Sequence, residues 1–350
     1  MKYSGRYKLF DINRIETFSL GSRINKVKLE NLVFPEKIKS QRIEVPAQIL
    51  EKVEAVAAEI VAARVQQKPV VLFTGAHLIK NGLARLIVEL VKKGMFTLVA
   101  GNTATAIHDF ELALIGETSE HVPNALGRGQ FGMAYEFAYI NSAIRVGFEK
   151  GLGLGETLGR MMTDVPFKNS IVDPLAHEDS PRDFCCTEVS IAAACYNYHI
   201  PFTVHCGIGV DVIDQHPSFD GAAKGGCSAR DFLIFTNEIT RFQQGGVFIN
   251  VGSAVQGPEV LLKAVSMAAN SGKAPREIIC ADFDLRVYSP EKMADECSPG
   301  YYFRDQKTVV TRVPTAFGGR GYYICGNQKL TIPLLYQKIS QLYADELECS

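Results

Sequence analysis

The sequence of 350 residues predicts an α/β fold, in which helices flank a parallel sheet. Short runs of apolar and β-branched residues alternate along the chain with segments whose apolar residues recur every three or four positions. The first pattern is typical of buried strands and the second of amphipathic helices, and their alternation indicates parallel α/β units. Hydrophobic residues make up 47% of the chain, which is enough to bury a large core.

Each predicted element follows from its residue pattern. The β-branched runs predict strands at residues 69–74, 96–100, 201–205, 246–251 and 277–281. The three- and four-residue spacings predict helices at residues 49–61, 83–91, 103–114, 187–199, 230–242, 259–270 and 332–347. Two further runs of β-branched and aromatic residues, at residues 309–313 and 321–325, predict a hairpin.

The chain is predicted to comprise an N-terminal arm, residues 1–46, and one α/β nucleotide-binding domain, residues 47–350. The arm carries mixed charge without a sustained period and is broken by Pro35 and Pro46. The domain contains a helical insert at about residues 115–200, and neither an internal repeat nor a low-complexity linker divides it.

Charge and hydropathy argue against two classes of partner. The chain has 37 Lys and Arg against 38 Asp and Glu, so its net charge of −1 offers no field that would attract a nucleic acid. No apolar run approaches the roughly 20 residues that span a bilayer, and the N-terminus lacks the apolar stretch of a signal peptide. We therefore expect a cytoplasmic protein without nucleic-acid or membrane partners.

The nine cysteines predict neither a disulfide framework nor a metal site. They begin only at Cys185 and form no C-x-x-C pair, so most are expected to be small buried side chains. Five potential metal ligands also lie close together in the sequence: His205, Cys206, Asp211, Asp214 and His216. Their spacing matches no zinc-ligand pattern, so no metal is predicted there.

Glycine-rich turns indicate where a ligand could bind. The segment Gly151–Gly155 has a dinucleotide-like spacing, but it follows a predicted helix and is better explained as a helix end and loop. The turn Gly207–Gly209 directly follows a predicted strand and leads to Asp211 and Asp214. Ligands of parallel α/β sheets bind outside the carboxyl ends of the strands. The polar candidates at those ends are His77, Asn102, Thr103, His108, Asp109, Asp211, Asp214, Ser253 and Asp282.

Several of these residues have an equally good structural explanation. Thr103 and Ser253 both precede predicted helices, so capping is as reasonable as ligand contact. His77 stands at a predicted helix start and could equally be a satisfied structural histidine.

The order of these motifs resembles that of deoxyhypusine synthases. The segments at residues 71–83 and 98–104 are similar to the first cofactor-binding segments of that family. The turn at 207–214, the strand end at 251–255 and the closing helix at 330–335 follow in the family's order. The resemblance covers most of residues 50–345.

The resemblance implies a Rossmann-like, deoxyhypusine synthase-like core, bound NAD and a homotetramer. Members of the family oxidise spermidine and pass its aminobutyl group through an enzyme lysine imine to a lysine of a translation factor. The resemblance places Asp214 on the substrate side. It implies that the NAD site is lined by Gly75, Ala76, Asn102, Thr103, Asp211, Gly252, Ser253, Asn327 and Gln328.

The chain departs from the family at the lysine. The family's Trp-Gly-Lys segment corresponds here to residues 317–320, which end in Arg320, and the chain has no tryptophan. Arginine stays protonated and cannot form the imine. The family's histidine also has no counterpart near residues 256–258. Lys329 and Lys307 are alternative lysines, although neither stands at the matching position.

The sequence therefore predicts an NAD-dependent enzyme that acts on a small amine or amino acid without the lysine-imine step. His77 or His205 would be the acid–base residue, Asp214 would contact the substrate, and Arg320 would bind a carboxylate through both nitrogens. One alternative is an aminobutyl transferase of the deoxyhypusine or homospermidine synthase type that uses another lysine. The other is a non-catalytic ligand-binding protein on the same fold.

Overall fold

A parallel sheet of six strands forms the centre of the computed structural model, which describes residues 3–348. Its strands are β2 Val70–Thr74, β3 Leu98–Asn102, β5 Phe202–His205, β6 Val247–Val251, β7 Ile279–Asp284 and β8 Arg320–Cys325. They lie in the order β5-β3-β2-β6-β7-β8, and every neighbouring pair is parallel. A separate antiparallel pair joins β1 Asn25–Lys28 to β4 Glu117–Glu120.

The order in which the strands are added to the sheet reverses once, in the middle of the sheet. Counted along the chain, the six strands lie in the order 3-2-1-4-5-6, which is the order of the Rossmann fold. The first and fourth of them, β2 and β6, are neighbours. The chain builds the sheet outward from β2 in one direction and from β6 in the other, so the connections after these two strands diverge.

Fifteen α-helices surround the two sheets in the described part of the chain. They are α1 Pro35–Ser40, α2 Ala47–Val65, α3 His77–Lys80, α4 Ala84–Lys92, α5 Thr103–Ile115, α6 Val122–Leu126, α7 Phe137–Glu149, α8 Leu154–Thr163, α9 Val165–Val172, α10 Ile191–Asn197, α11 Gly221–Thr240, α12 Gln256–Asn270, α13 Pro290–Ala294, α14 Val313–Ala316 and α15 Gln328–Glu348. None of the helices within residues 3–348 is both long and apolar enough to cross a bilayer.

Apolar side chains cover both faces of the central strands. All five residues of β2 and of β6 are buried, which explains why these strands read as continuous apolar runs rather than alternating ones. Successive residues point to opposite faces: Leu72 belongs to the larger core cluster, whereas Val71 and Phe73 belong to the smaller one.

The residues predicted as an N-terminal arm pack onto the domain. Leu20 is fully buried, and Leu32 and Ile38 belong to the larger core cluster. Strand β1 pairs with β4, which lies inside the predicted helical insert. The insert is therefore not wholly helical. The four residues of β4 are polar, so their sequence does not show the apolar pattern of a strand.

The predicted hairpin near the C-terminus is wrong. Residues 320–325 form β8, which pairs in parallel with β7, and residues 306–312 form a π-helix instead of a strand. Val309 and Val313 are buried in the smaller core cluster. A short apolar run can be buried in either conformation, so its pattern alone does not distinguish a strand from a helical turn.

Close backbone packing of α8 against β5 yields a stability test. Gly155 lies in α8, and a Cβ on this residue would overlap the carbonyl oxygen of Phe202. We predict that Gly155→Ala destabilises the protein by about 1–3 kcal/mol, because helix and strand must separate. The urea midpoint of unfolding measures this change.

Gly225 provides the matched control. It lies in α11, and a Cβ there would meet no atom within 4 Å. Gly225→Ala should stabilise the protein by about 0.5–1 kcal/mol through helix propensity. Equal urea midpoints for the two variants would contradict the packing of α8 on β5.

Candidate functional site

The connections that follow β2 and β6 contact each other through backbone atoms. The Gly75 N–H donates to the Val251 carbonyl at 2.9 Å, and the Gly252 N–H donates to the Phe283 carbonyl at 3.1 Å. A Cβ on Gly75 would overlap the Gly252 carbonyl oxygen. These two glycines lie where the connections after β2 and β6 diverge, and we call this place the β2/β6 crevice.

Gln328 reaches the same place from the end of the chain. Its Nε2 occupies the space that a Cβ on Gly252 would need, and its Oε1 accepts a hydrogen bond from Asn81 Nδ2 at 3.3 Å. Gly252 also has a φ of +61°, which favours glycine. The structure thus brings together Gly75, Gly252 and Gln328, which the resemblance assigned to one cofactor site.

Some candidate residues at the strand ends accept hydrogen bonds from backbone N–H groups at the start of a helix. Ser253 Oγ accepts the Gly257 N–H at 2.9 Å, and Asn102 Oδ1 accepts the Thr105 N–H at 2.9 Å. The Asn102 interaction starts α5. The Thr103 hydroxyl is buried and has no hydrogen-bond partner among residues 3–348. A buried unpaired hydroxyl is unfavourable and is typical of a position completed by a ligand or water.

His205 lies in the core rather than in the crevice. Its ring stacks on Phe73 with centroids 5.5 Å apart and meets Phe235 edge-on at 5.3 Å. Burial lowers the pKa of His205 to about 3, so the ring is neutral near pH 7. Its Nε2 is 3.2 Å from Thr203 Oγ1. The backbone of His205 pairs with that of Asn102, but its ring is packed into the core.

His77 and Arg320 lie at opposite edges of the sheet. His77 begins α3 directly after Gly75 and Ala76, and loss of water, followed by the charges of Lys80 and His108, lowers its pKa. Arg320 begins β8, where its guanidinium lies 3.3 Å from Glu59 and its side chain is 71% exposed.

The direction of β8 explains this separation. In a parallel sheet the first residue of a strand lies at the edge opposite the other strand ends. The structure therefore does not bring Arg320 together with the crevice residues. Instead it lines a separate cavity of about 400 Å³ at the amino edge of the sheet.

Lys224 holds the loop that carries Asp211 and Asp214. The buried Lys224 ammonium lies 2.7 Å from Asp211 Oδ2 and 2.5 Å from Asp214 Oδ1, and it donates to the Gly207 carbonyl at 3.0 Å. Asp214 Oδ2 also accepts the Gly209 N–H at 2.7 Å. Both carboxylates therefore fix the loop after β5, a role that sequence reasoning missed because it did not single out Lys224.

The two lysines proposed as substitutes lie apart from this cluster. Lys329 is exposed in the first turn of α15, next to Asn327, whose Oδ1 accepts the Lys329 N–H. The Lys307 ammonium lies 3.2 Å from the centre of the Tyr301 ring. Neither contact resembles the burial and pairing of Lys224.

Asp109 and Asp282 are buried below the sheet edge. Asp109 accepts the Ile191 N–H at 2.7 Å at the start of α10, and burial, opposed by its hydrogen bonds, raises its pKa to about 6. Asp282 Oδ1 accepts from Asn250 Nδ2 at 2.7 Å, and burial, followed by the charge of Asp305, raises its pKa well above the usual range. No group of three or more potential ligands arranged for a metal ion occurs within residues 3–348.

A cavity of about 220 Å³ lies beside the loop after β5, at the start of α5. We call it the charged cavity. Ile107, Phe131, Val210 and Val212 form much of its apolar wall. The ionisable side chains that line it are Arg23, Lys80, His108, Glu111, Glu120 and Asp211.

Arg23 and Glu111 form the most buried ion pair of this cavity. The Arg23 guanidinium lies 2.6 Å from Glu111 Oε1 and 3.5 Å from Glu120 Oε2. Burial raises the pKa of Glu111, but Arg23, His108 and Thr118 together outweigh it and lower the pKa to about 2. Glu111 is therefore ionised near neutral pH.

Sequence reasoning included His108 among the candidates but missed its partners. His108 and Glu111 are three residues apart in α5, a spacing that places two side chains on one helix face. That spacing could have identified the pair. Arg23 lies 88 residues from Glu111 in the sequence and had no comparable signal.

Comparison with known proteins gives structural similarity only. No family model matches the sequence, and no curated protein matches it. The apo structure of ArgZ, an arginine dihydrolase from the ornithine–ammonia cycle in cyanobacteria, is 18% identical with a TM-score of 0.47 over 85% of this chain. The ternary complex of AgrE with ornithine and NAD+ is 15% identical, with a TM-score of 0.47 over 87% of this chain.

A third solved structure is the conserved LOR/SDH protein of Methanococcus maripaludis S2, which is 14% identical with a TM-score of 0.46 over 86% of this chain. The chain spans about a third of the length of ArgZ and AgrE, and 72% of the third protein. These identities and TM-scores establish no family membership.

The Lys224 ion pairs give a second prediction. Lys224→Met should destabilise the protein by about 3–5 kcal/mol, because Asp211 and Asp214 would keep their charges without a partner. Chemical denaturation measures the loss, and limited proteolysis should cut faster within residues 207–214.

The matched control is the exposed Lys273. Lys273→Met should change the free energy of unfolding by no more than about 0.5 kcal/mol. If Lys224→Met behaves like this control, the two aspartates do not depend on Lys224.

Proposed function

We propose that this chain binds NAD in the β2/β6 crevice and is an enzyme that oxidises or reduces a small amine or amino acid. The observation that carries the proposal is the 3-2-1-4-5-6 strand order, with glycines at both strand ends of the reversal. Dinucleotides bind across this reversal in Rossmann folds because the diverging connections leave room there.

The residues around the crevice fit a dinucleotide. Gly75 and Gly252 allow the tight turns at which the two connections contact each other and Gln328, as glycines do in the dinucleotide-binding turns of Rossmann folds. Asn102 stands at the end of β3, the position from which Rossmann folds contact a ribose. The unpaired buried hydroxyl of Thr103 lies next to it and supports the same assignment.

Bound NAD would accept or supply the hydride of the reaction. The chain itself would supply orientation and a water-poor environment. The Lys224 ion pairs hold the loop after β5 beside the strand ends, where Val210 is 78% exposed and available to cover a ligand. The charged cavity lies along the same edge and would hold the polar substrate.

The resemblance to deoxyhypusine synthases supports the NAD site but not the lysine-imine step. Gly75, Gly252 and Gln328, which the resemblance assigned to the cofactor, are neighbours in the fold. Arg320, which replaces the family's lysine, lies at the other edge of the sheet. We therefore propose a relative with changed chemistry, and the homotetramer implied by the resemblance is part of this proposal.

Adding charge to the crevice tests the NAD site. Ala76→Glu should weaken NAD binding by about tenfold or more, because a carboxylate beside Gly75 would repel the pyrophosphate. Titration calorimetry with NAD and NADH measures this affinity.

Ala62→Glu is the matched control at the amino edge of the sheet, where Ala62 lines the cavity that contains Arg320. It should leave NAD affinity unchanged. The proposal is wrong if the unmodified protein binds no dinucleotide at millimolar concentration, or if Ala62→Glu weakens binding as much as Ala76→Glu does.

A further inference from the structure

Hydrogen bonding fixes the tautomer of His108. The Thr118 hydroxyl donates its single proton to Glu111 Oε2, so its oxygen must accept from His108 Nδ1, 2.7 Å away. Nδ1 also lies 3.3 Å from the ionised Glu111. His108 therefore carries its proton on Nδ1, and Nε2 is left as a basic nitrogen.

The other side of the His108 ring is available to a ligand. His108 lines the charged cavity, and its side chain is 18% exposed. Nδ1 is turned toward Glu111 and Thr118, and Nε2 has no hydrogen-bond partner in the described part of the chain. A base held by a buried carboxylate at a cavity wall is the arrangement of a general acid–base residue.

Two positively charged side chains of the cavity are not fully paired within the described residues. Arg23 has a side chain only 7% exposed, and its Nε lacks a hydrogen-bond partner among residues 3–348. Lys80 lines the same cavity without an ion-pair partner in that range. The free ammonium of Lys80 fits the carboxylate of a ligand.

The sum of charges favours a ligand with extra positive charge. Among the residues that line the cavity, the positive groups are Arg23 and Lys80. The negative groups are Glu111, Glu120 and Asp211, which leaves 2 − 3 = −1 with His108 neutral. A ligand with one carboxylate and two amines has a net charge of +1 and would balance this site.

We infer that the charged cavity binds a small diamino acid and that His108 accepts a proton from one of its amines. This inference rests on the proposed function and names the substrate class of that site. The ligand N–H bond breaks and a bond forms between the proton and His108 Nε2. The resulting imidazolium is stabilised by Glu111 through Nδ1, and the amine keeps the electron pair of the broken bond.

The groups around His108 come from several elements. Glu111 lies on its own helix, Thr118 and Glu120 on β4, and Lys80 and His77 on α3. Arg23 comes from the N-terminal segment. Four separate segments of the chain therefore surround the His108 ring.

Binding of three probes tests the substrate class without NAD. L-lysine carries a carboxylate and two amines, norleucine lacks the second amine, and cadaverine lacks the carboxylate. We expect L-lysine to bind about tenfold or more tightly than either of the other two, because each lacks one charged contact. Lys80→Met should remove the advantage over cadaverine, and Lys273→Met should keep it.

A second readout addresses His108. In ¹⁵N-histidine-labelled protein, His108 Nε2 should give the resonance of a bare nitrogen and shift toward a protonated one when L-lysine is added. His108→Gln should remove this resonance, which assigns the shift to His108. The inference is overturned if none of the three probes binds, if all bind equally, or if the His108 resonance does not shift when L-lysine is added.

These outcomes are distinct from failure of the NAD proposal. Ala76→Glu should still bind L-lysine, because its added charge lies in the β2/β6 crevice. Lys80→Met should still bind NAD. A protein that binds NAD and no probe contradicts this inference alone, whereas one that binds L-lysine and no dinucleotide contradicts the proposed function.

Discussion

The contact of Gly75 with Gly252 is the constraint on which the candidate site depends. Strands β2 and β6 are parallel neighbours, so their connections leave the sheet at the same edge and must diverge at once. The two turns touch because residue 75 has no side chain, since a Cβ on Gly75 would overlap the Gly252 carbonyl oxygen. The crevice, the position of Gln328 and the placement of α3 all follow from this contact.

Buried charges hold the rest of the sheet edge. Lys224 fixes the loop after β5 through two aspartates, and Arg23 fixes the start of the chain against Glu111 of α5. Removing one partner of such a pair is costly because the other charge stays buried. The same residues therefore provide both local rigidity and the polarity of the charged cavity, which connects stability with the proposed substrate binding.

The strands and their glycine ends could be predicted because parallel strands covered on both faces are continuous apolar runs that end in distinct turns. The sequence pattern could not predict at which edge of the sheet a residue lies or whether its side chain points into the core. Arg320 was expected near the crevice, but pairing with β7 makes β8 parallel and puts its first residue at the far edge. His205 is the last residue of β5, and only its packing on Phe73 in the folded structure shows that its ring is buried. Arg23 lies too far from Glu111 in sequence for any local pattern to pair them.

The central claim is that a dinucleotide binds at the carboxyl edge of the sheet, between β2 and β6. Hydrogen–deuterium exchange with and without saturating NAD tests it most directly, because it locates binding along the chain. The account predicts slower exchange in peptides covering residues 74–82 and 251–257, and unchanged exchange around residues 318–320 at the amino edge. Slower exchange confined to residues 318–320, or no change anywhere, would contradict it.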